Sequence, residues 1–332
     1  MRPWKFAVCL VLCAVLSGAA LADNLPGQGR TVRSGISTDD SRFWLEVVLI
    51  GLERLGYKPA EIATLANQAG YIAVANGDLD LWGEYWDPNH EKFFTSAGGD
   101  DKLTRIGVLV DNAMGAYLID RKTSEKYKIT NIGQLKDPAL AKLFDSDGDG
   151  RANLAGCPVG WGCDPISNHQ LKEYGLTETV QNDQGDFVLT HTDVVSRFKA
   201  GQPVLYYTYS PLWLNQILVP GKDVIFLEVP FTTFPEGLPK RPTTLPDGRN
   251  IGFATLKIRL VANNNFLKDN PAAKKLFELA SIPIADVDAE NLLVYQGEKS
   301  YEQIRGHAQK WVTNNAAIFD KWIEEAKKAG AN

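Results

Sequence analysis

Cysteine, histidine and methionine are scarce in this chain: four, four and two among 332 residues. So few ligating side chains leave little material for a multinuclear metal centre. There is no Gly-x-Ser-x-Gly elbow, no His-Glu-x-x-His helix and no Gly-x-x-x-x-Gly-Lys-Ser/Thr loop. Those gaps remove the common signatures of serine hydrolases, zinc proteases and nucleotide-phosphate enzymes. Basic clusters are also missing and the formal net charge is −5, which argues against nucleic acid and anionic membranes as partners. The sequence shows no low-complexity tract and no internal repeat.

What is present starts at the N-terminus. Arg2 and Lys5 precede an apolar run from Phe6 to Leu16, followed by Ser17-Gly18-Ala19-Ala20-Leu21-Ala22. A basic start, a short apolar core and an Ala-x-Ala ending describe a secretory signal peptide, residues 1–22. The run is too short to cross a bilayer, which takes about 20 residues. Cleavage after Ala22 leaves a mature chain with no membrane segment of its own and points to the periplasm. It also removes Arg2, Lys5 and no acid, so the net charge moves from −5 to −7. Cys9 and Cys13 leave with the signal, and Cys157 and Cys163 remain for a disulfide in an oxidising compartment. So small a loop contributes about 2–2.5 kcal/mol by chain entropy.

The mature length of about 310 residues exceeds a usual single core and implies two lobes. Strands and helices alternate, which indicates an α/β sandwich with a largely parallel sheet. Val32–Ile36 reads as a first strand, and Ser37-Thr38-Asp39-Asp40-Ser41 as capping chemistry for a helix from Phe43 to Leu55. Further helices are expected over 68–76, 130–144, 187–199, 271–280, 288–295 and 306–328. Strands are expected over 78–82, 107–111, 115–119, 203–209 and 224–229. Trp311, Ile318 and Trp322 share a helical stripe and read as core, as does Trp44. Asp78 and Asp80 alternate with Leu79 and Leu81, as in a half-buried strand.

The most informative stretch is Gly156-Cys157-Pro158-Val159-Gly160-Trp161-Gly162-Cys163-Asp164-Pro165. Asp164 and Pro165 look like an N-cap and a first helical residue. A helix start offers free N–H groups and partial positive charge to an anion, and Trp161 beside it offers a π-face to a cation. The same residues also suit a disulfide-closed surface loop with a packing Trp. Trp86 and Tyr209 likewise stand at strand ends, where a rigid scaffold presents binding residues. Three rings would hold a quaternary ammonium with about 0.5–2 kcal/mol each, and with no carboxylate to desolvate. His90 is a hydrogen-bond donor for an anionic group, whereas His169, His191 and His307 share no spacing and read as structural. Asp145, Asp147 and Asp149 alternate like the first half of a calcium loop, though Gly156 stands where a bidentate Glu would complete it. Any calcium there would be structural, and no cofactor is otherwise required.

These residues resemble the periplasmic glycine betaine/proline betaine-binding proteins of bacterial ABC uptake systems, over essentially the whole mature length. The resemblance is carried by Gly115-Ala116-Tyr117-Leu118-Ile119-Asp120, Lys128-Ile129-Thr130-Asn131-Ile132, Gly160-Trp161-Gly162-Cys163, Asn168-His169-Gln170-Leu171 and Pro220-Gly221-Lys222-Asp223-Val224. It implies a type II periplasmic-binding-protein fold, with lobe 1 from 23–112 plus 250–332, lobe 2 from 113–249, two crossover segments and hinge closure. It further implies that Trp86, Trp161 and Tyr209 box a trimethylammonium group, Tyr209 standing where the family has a third Trp. His90 and the N–H groups of Gly162 and Cys163 would hold the carboxylate. The partner implied is an inner-membrane permease with its ATPase, served by a monomeric, non-enzymatic binding protein. Three other readings stay open: a specialist for choline, carnitine or a sulfonium zwitterion, a secreted enzyme acting on such compounds, and a calcium-dependent adhesion protein.

Overall fold

The computed structural model describes residues 25–331. The expected signal peptide, its cleavage after Ala22, and Cys9 and Cys13 lie outside the described residues. Eleven strands are seen: β1 (Thr31–Val32), β2 (Ser34–Ile36), β3 (Lys58–Pro59), β4 (Ala63–Thr64), β5 (Leu81–Asp87), β6 (Leu103–Asp120), β7 (Ala152–Ala155), β8 (Val180–Asp183), β9 (Leu205–Ser210), β10 (Val224–Phe226) and β11 (Leu256–Asn263). β1 and β3 form a small parallel pair, and the others join one sheet in the order β4-β2-β5-β11-β6-β9-β7-β8, with β10 on β6. Both ends of the sheet are parallel, β4-β2-β5 on one side and β9-β7-β8 on the other. Its centre is antiparallel, because β11 runs against both β5 and β6, and β6 against β9. The expected largely parallel sheet is therefore a mixed one.

β6 explains why the two short apolar runs at 107–111 and 115–119 are one strand. Its first part, Leu103–Ala113, pairs with β11, and its second part, Met114–Ile119, pairs with β9. Asn112 at the changeover has φ 60°, a conformation Asn tolerates better than most residues. Polar residues there broke the hydrophobic pattern without breaking the strand.

One core packs the helices Arg42–Arg54, Pro271–Leu279, Tyr301–Asn314 and Ala316–Gly330 against β5, β6 and β11. A second gathers Tyr117, Phe144, Tyr206, Trp213 and Phe253 around β6, β7 and β9. A third, smaller one seats Tyr71, Trp82, Tyr85 and Phe94 on the opposite face of β5. In Ala316–Gly330 the buried stripe is Phe319, Trp322, Ile323 and Ala326, an i, i+3, i+4, i+7 pattern. Ile318, expected on that stripe, is 46% exposed. The reason is the break at Asn315, which divides the expected helix over 306–328 into two and resets its phase.

Other boundaries shift for local reasons. No side chain of Ser37–Ser41 caps the first helix, which follows a 3₁₀ turn at Asp39–Ser41. The Ser41 hydroxyl donates instead to Glu84 Oε2 at 2.5 Å. Residues 132–144 form 3₁₀ turns around a short helix at Pro138–Ala141 rather than one helix, because Asp137 caps a fresh start before Pro138. Asp80 precedes β5 and accepts from Arg33 at 2.8 Å, so it belongs to a loop ion pair and not to a strand. Among the described residues no helix is long and apolar enough to cross a membrane.

Gly107 lies in β6 with φ +66°, and a Cβ there would run into the carbonyl oxygen of Phe277. Gly107→Ala should cost about 2–4 kcal/mol through clash and left-handed strain. Urea unfolding checks it, and an unchanged midpoint would refute this account of the β6–helix contact.

Candidate functional site

The ends of two interior strands, β5 and β9, and the loop that follows β7 meet around one cavity. On one side β5 ends with Trp86, and a turn closed by the His90 N–H on the Trp86 carbonyl at 3.0 Å leads into the helix Glu91–Ser96. On the other side β9 carries Tyr209, and the loop from Cys157 to Cys163 carries Trp161. Trp86, His90, Trp161, Gly162, Cys163 and Tyr209 all line this cavity, about 530 Å³ free of protein atoms with its open mouth included.

The rings form a corner. Trp86 and Tyr209 stand 5.5 Å apart between centroids and 86° between planes, and Trp161 and Tyr209 stand 5.9 Å and 68° apart. Rings set edge to face are neighbouring walls, each turning part of its negative π-face to the enclosed space. Trp161 is backed by Phe187, stacked at 5.4 Å, and Phe187 in turn by His191 at 3.7 Å. Trp86 is backed by Trp44 at 6.4 Å. Beyond Tyr209 the chain is anchored to the helix Ile284–Tyr295, where Leu212 N–H donates to Asp288 at 2.8 Å and Trp213 stacks on Tyr295 at 3.9 Å.

The polar end is built by the loop. Cys157 and Cys163 are disulfide-bonded with Cα atoms 5.9 Å apart. Cys163 is the N-cap of the helix Asp164–Glu173 and Asp164 its first residue, so the helix starts one place earlier than expected. Asp164 does not cap; its carboxylate accepts from Gly160 N–H at 3.0 Å, Asn168 Nδ2 at 2.6 Å and Gln184 Nε2 at 2.6 Å. The Gly162 and Cys163 N–H groups have no acceptor among the described residues, so they are free to bind an anion at the positive end of a helix. A Cβ on Gly162 would come within 2.8 Å of His90 Cδ2 and 3.0 Å of Asn89 Cβ, so only glycine lets the loop sit this close to His90.

His90 is buried, with Nδ1 3.0 Å from Tyr71 Oη. Burial pulls its pKa down to about 3, so the ring is neutral and acts as a hydrogen-bonding group rather than a charge. His191, also buried, is pulled down to about 4; its ring nitrogens lie 2.7 Å from the Tyr207 carbonyl and 2.9 Å from the Phe187 carbonyl, and the neutral ring donates to one of the two. His169 bonds Thr233 at 2.7 Å, away from the cavity. His307 lies between Glu290 and Glu298 at 2.9 and 3.0 Å. Partial burial pulls His307 down, but the two glutamates outweigh it and the net shift is upward.

Sequence reasoning missed ten lining residues, and four of them, Asp40, Trp44, Asn67 and Glu84, bear most on its chemistry. The cavity wall therefore holds carboxylates, contrary to the expectation of rings alone. Glu84 is buried and pushed above the usual carboxylate range by desolvation, against hydrogen bonds from Ser37, Ser41 and Trp86. Asp40 is also raised by burial, against the hydrogen bond from Tyr209. Asn67 Oδ1 is buried with no partner among the described residues. Glu84 stands two residues from Trp86 on one strand, a spacing that could have flagged it; Asp40 was hidden by its resemblance to a capping residue.

Asp145, Asp147 and Asp149 do converge, with one oxygen of each within 4.8 Å of the others. Asp145 already accepts from the Gly148 and Gly150 amides, and Asp149 from Arg151. A cation there would have to displace Arg151.

Residues 34–314 match the family described as the substrate binding domain of ABC-type glycine betaine transport systems. The chain belongs to that family, which is non-enzymatic and needs no cofactor. It is 44% identical over 330 residues to the glycine betaine-binding periplasmic protein OusX of Dickeya dadantii, covering 99% of each chain. It is 43% identical over 316 residues to the glycine betaine/proline betaine-binding periplasmic protein of Escherichia coli, covering 95% of this chain and 96% of that one. The fold is that of the glycine betaine/L-proline-binding protein (ProX) of Borrelia burgdorferi, with a TM-score of 0.69 at 16% identity over 91% of this chain and all of the other. It is also that of lactococcal OpuAC in its closed, glycine betaine-bound form, with a TM-score of 0.66 at 17% identity over 89% and 99%.

Because His90 and His191 are neutral when folded but titrate near 6.5 when unfolded, they leave stability untouched above pH 6.5 and lower it as pH falls below that value. Proton NMR should show both rings unchanged between pH 8 and 5, while His307 titrates above 6.5. Titration of His90 near 6.5 would contradict its burial in the cavity wall.

Proposed function

We propose that this protein captures glycine betaine or proline betaine between two lobes and delivers it to an ABC permease driven by a separate ATPase. The observation that carries this reading is the corner of Trp86, Trp161 and Tyr209 facing free amides and a neutral imidazole across one cavity. A fixed positive charge without N–H donors suits π-faces, and a carboxylate suits the helix start of Gly162 and Cys163 with His90 beside it. The lobes are 23–112 plus 250–332 and 113–249, linked where β6 changes partners and where the chain re-enters at β11. Closure brings Trp86 and His90 against Trp161, Gly162 and Tyr209. The names of the relatives support a periplasmic setting, reached through a signal cleaved after Ala22, and a monomer that works without inserting into the membrane. A structural calcium at Asp145, Asp147 and Asp149 is a separate proposal; a melting temperature indifferent to calcium and to EDTA would remove it.

Calorimetry tests the ligand reading. Trp86→Ala and Trp161→Ala should each weaken betaine binding by about tenfold or more, at roughly 1.4 kcal/mol per decade, with melting temperature little changed. Gly162→Ala should weaken it as well, by pushing the amide away from His90. Unchanged affinity in both tryptophan variants would sink the aromatic box. A thermal-shift panel of glycine betaine, proline betaine, choline, carnitine and dimethylsulfoniopropionate fixes the class, and stabilisation by choline alone would replace the betaine reading.

A further inference from the structure

Tyr209 differs from a tryptophan by presenting a hydroxyl, and that hydroxyl is spoken for. Its Oη donates to Asp40 Oδ2 at 2.9 Å, across a sequence separation of 169 residues. Asp40 thereby sits in the wall of the cavity beside Trp86, Trp161 and Tyr209. Its other oxygen, Oδ1, has no donor among the described residues. Glu84, the second carboxylate of the wall, is occupied by the Ser37 N–H and the Ser41 hydroxyl. Asp40 thus keeps an unspent carboxylate oxygen in the cavity wall, beside the neutral and likewise unpartnered Asn67 Oδ1.

We propose that Asp40 is a specificity-determining residue that extends the ligand range to zwitterions whose ammonium keeps an N–H, of which N,N-dimethylglycine is the probe. This rests on the betaine-site reading above. A quaternary nitrogen has no hydrogen to give, so beside it Asp40 Oδ1 loses water and gains only Coulomb attraction. A tertiary ammonium donates N⁺–H to that oxygen. A charge-assisted hydrogen bond is worth roughly 10- to 100-fold in affinity, against about fourfold for the one buried methyl given up. The balance therefore favours keeping the less methylated ligand.

The test is calorimetry on the mature protein with glycine betaine and N,N-dimethylglycine. The wild type should bind dimethylglycine within about tenfold of glycine betaine, and Asp40→Asn should weaken dimethylglycine by about 10- to 100-fold while moving glycine betaine by less than about threefold. Tyr209→Phe keeps the ring and Asp40, so it should leave the ratio of the two affinities near that of the wild type. Equal losses for both ligands in Asp40→Asn would overturn the proposal. So would a wild type that binds glycine betaine but takes dimethylglycine more than a hundredfold more weakly, a result that does not depend on any variant folding. A ratio that collapses in Tyr209→Phe would assign the effect to the hydroxyl instead. Binding of neither ligand by the wild type would reject the betaine reading itself.

Discussion

The contact of Gly162 with Asn89 and His90 is the constraint on which the site depends. It sets the loop that follows β7 against the turn that follows β5 at a distance no side chain would allow. Everything that faces the cavity is fixed from behind by ordinary packing. Trp161 rests on Phe187 and His191, Trp86 on Trp44, and the end of β9 on the helix Ile284–Tyr295. The disulfide closes the base of the loop, and the helix behind it aims unpaired amides inward. Binding then needs little ordering of side chains, which is where affinity is usually lost.

Electrostatics divide the cavity into two halves. Around Gly162, Cys163 and His90 stand two amide donors and an imidazole without charge, because burial keeps the ring neutral. Around the rings stand π-faces and two carboxylates of raised proton affinity, one saturated by serines and one held by Tyr209. A zwitterion fits this division with its carboxylate at the helix start and its cation at the rings. A free anion or a free cation would satisfy only one half.

Much of the site was legible in the sequence because aromatic residues beside Gly and Pro, at the ends of apolar runs, have few reasons to be there except binding or packing. All three rings singled out that way, and His90, Gly162 and Cys163 with them, line one cavity. Elements with a strong period were legible too, such as the helix Phe187–Lys199. The failures share a cause. Ser41 and Asp40 look like caps by local pattern, yet their side chains answer to Glu84 and Tyr209, which lie far along the chain. β6 looked like two strands because its polar changeover at Asn112 is visible locally, while the partners that keep it extended are not. The stripe through Ile318 failed because a single turn at Asn315 resets the phase.

By itself the sequence determined the chemistry available: which rings, which amides freed by glycine, which two cysteines, and which catalytic motifs are missing. Those follow from residue type and spacing within a few turns, the range over which the chain controls itself. The tertiary structure decided which of these groups share a cavity, that carboxylates join them, and that Tyr209 holds Asp40 across 169 residues. Such pairings depend on how the strand ends meet, and that is set by long-range packing of several cores rather than by any local preference.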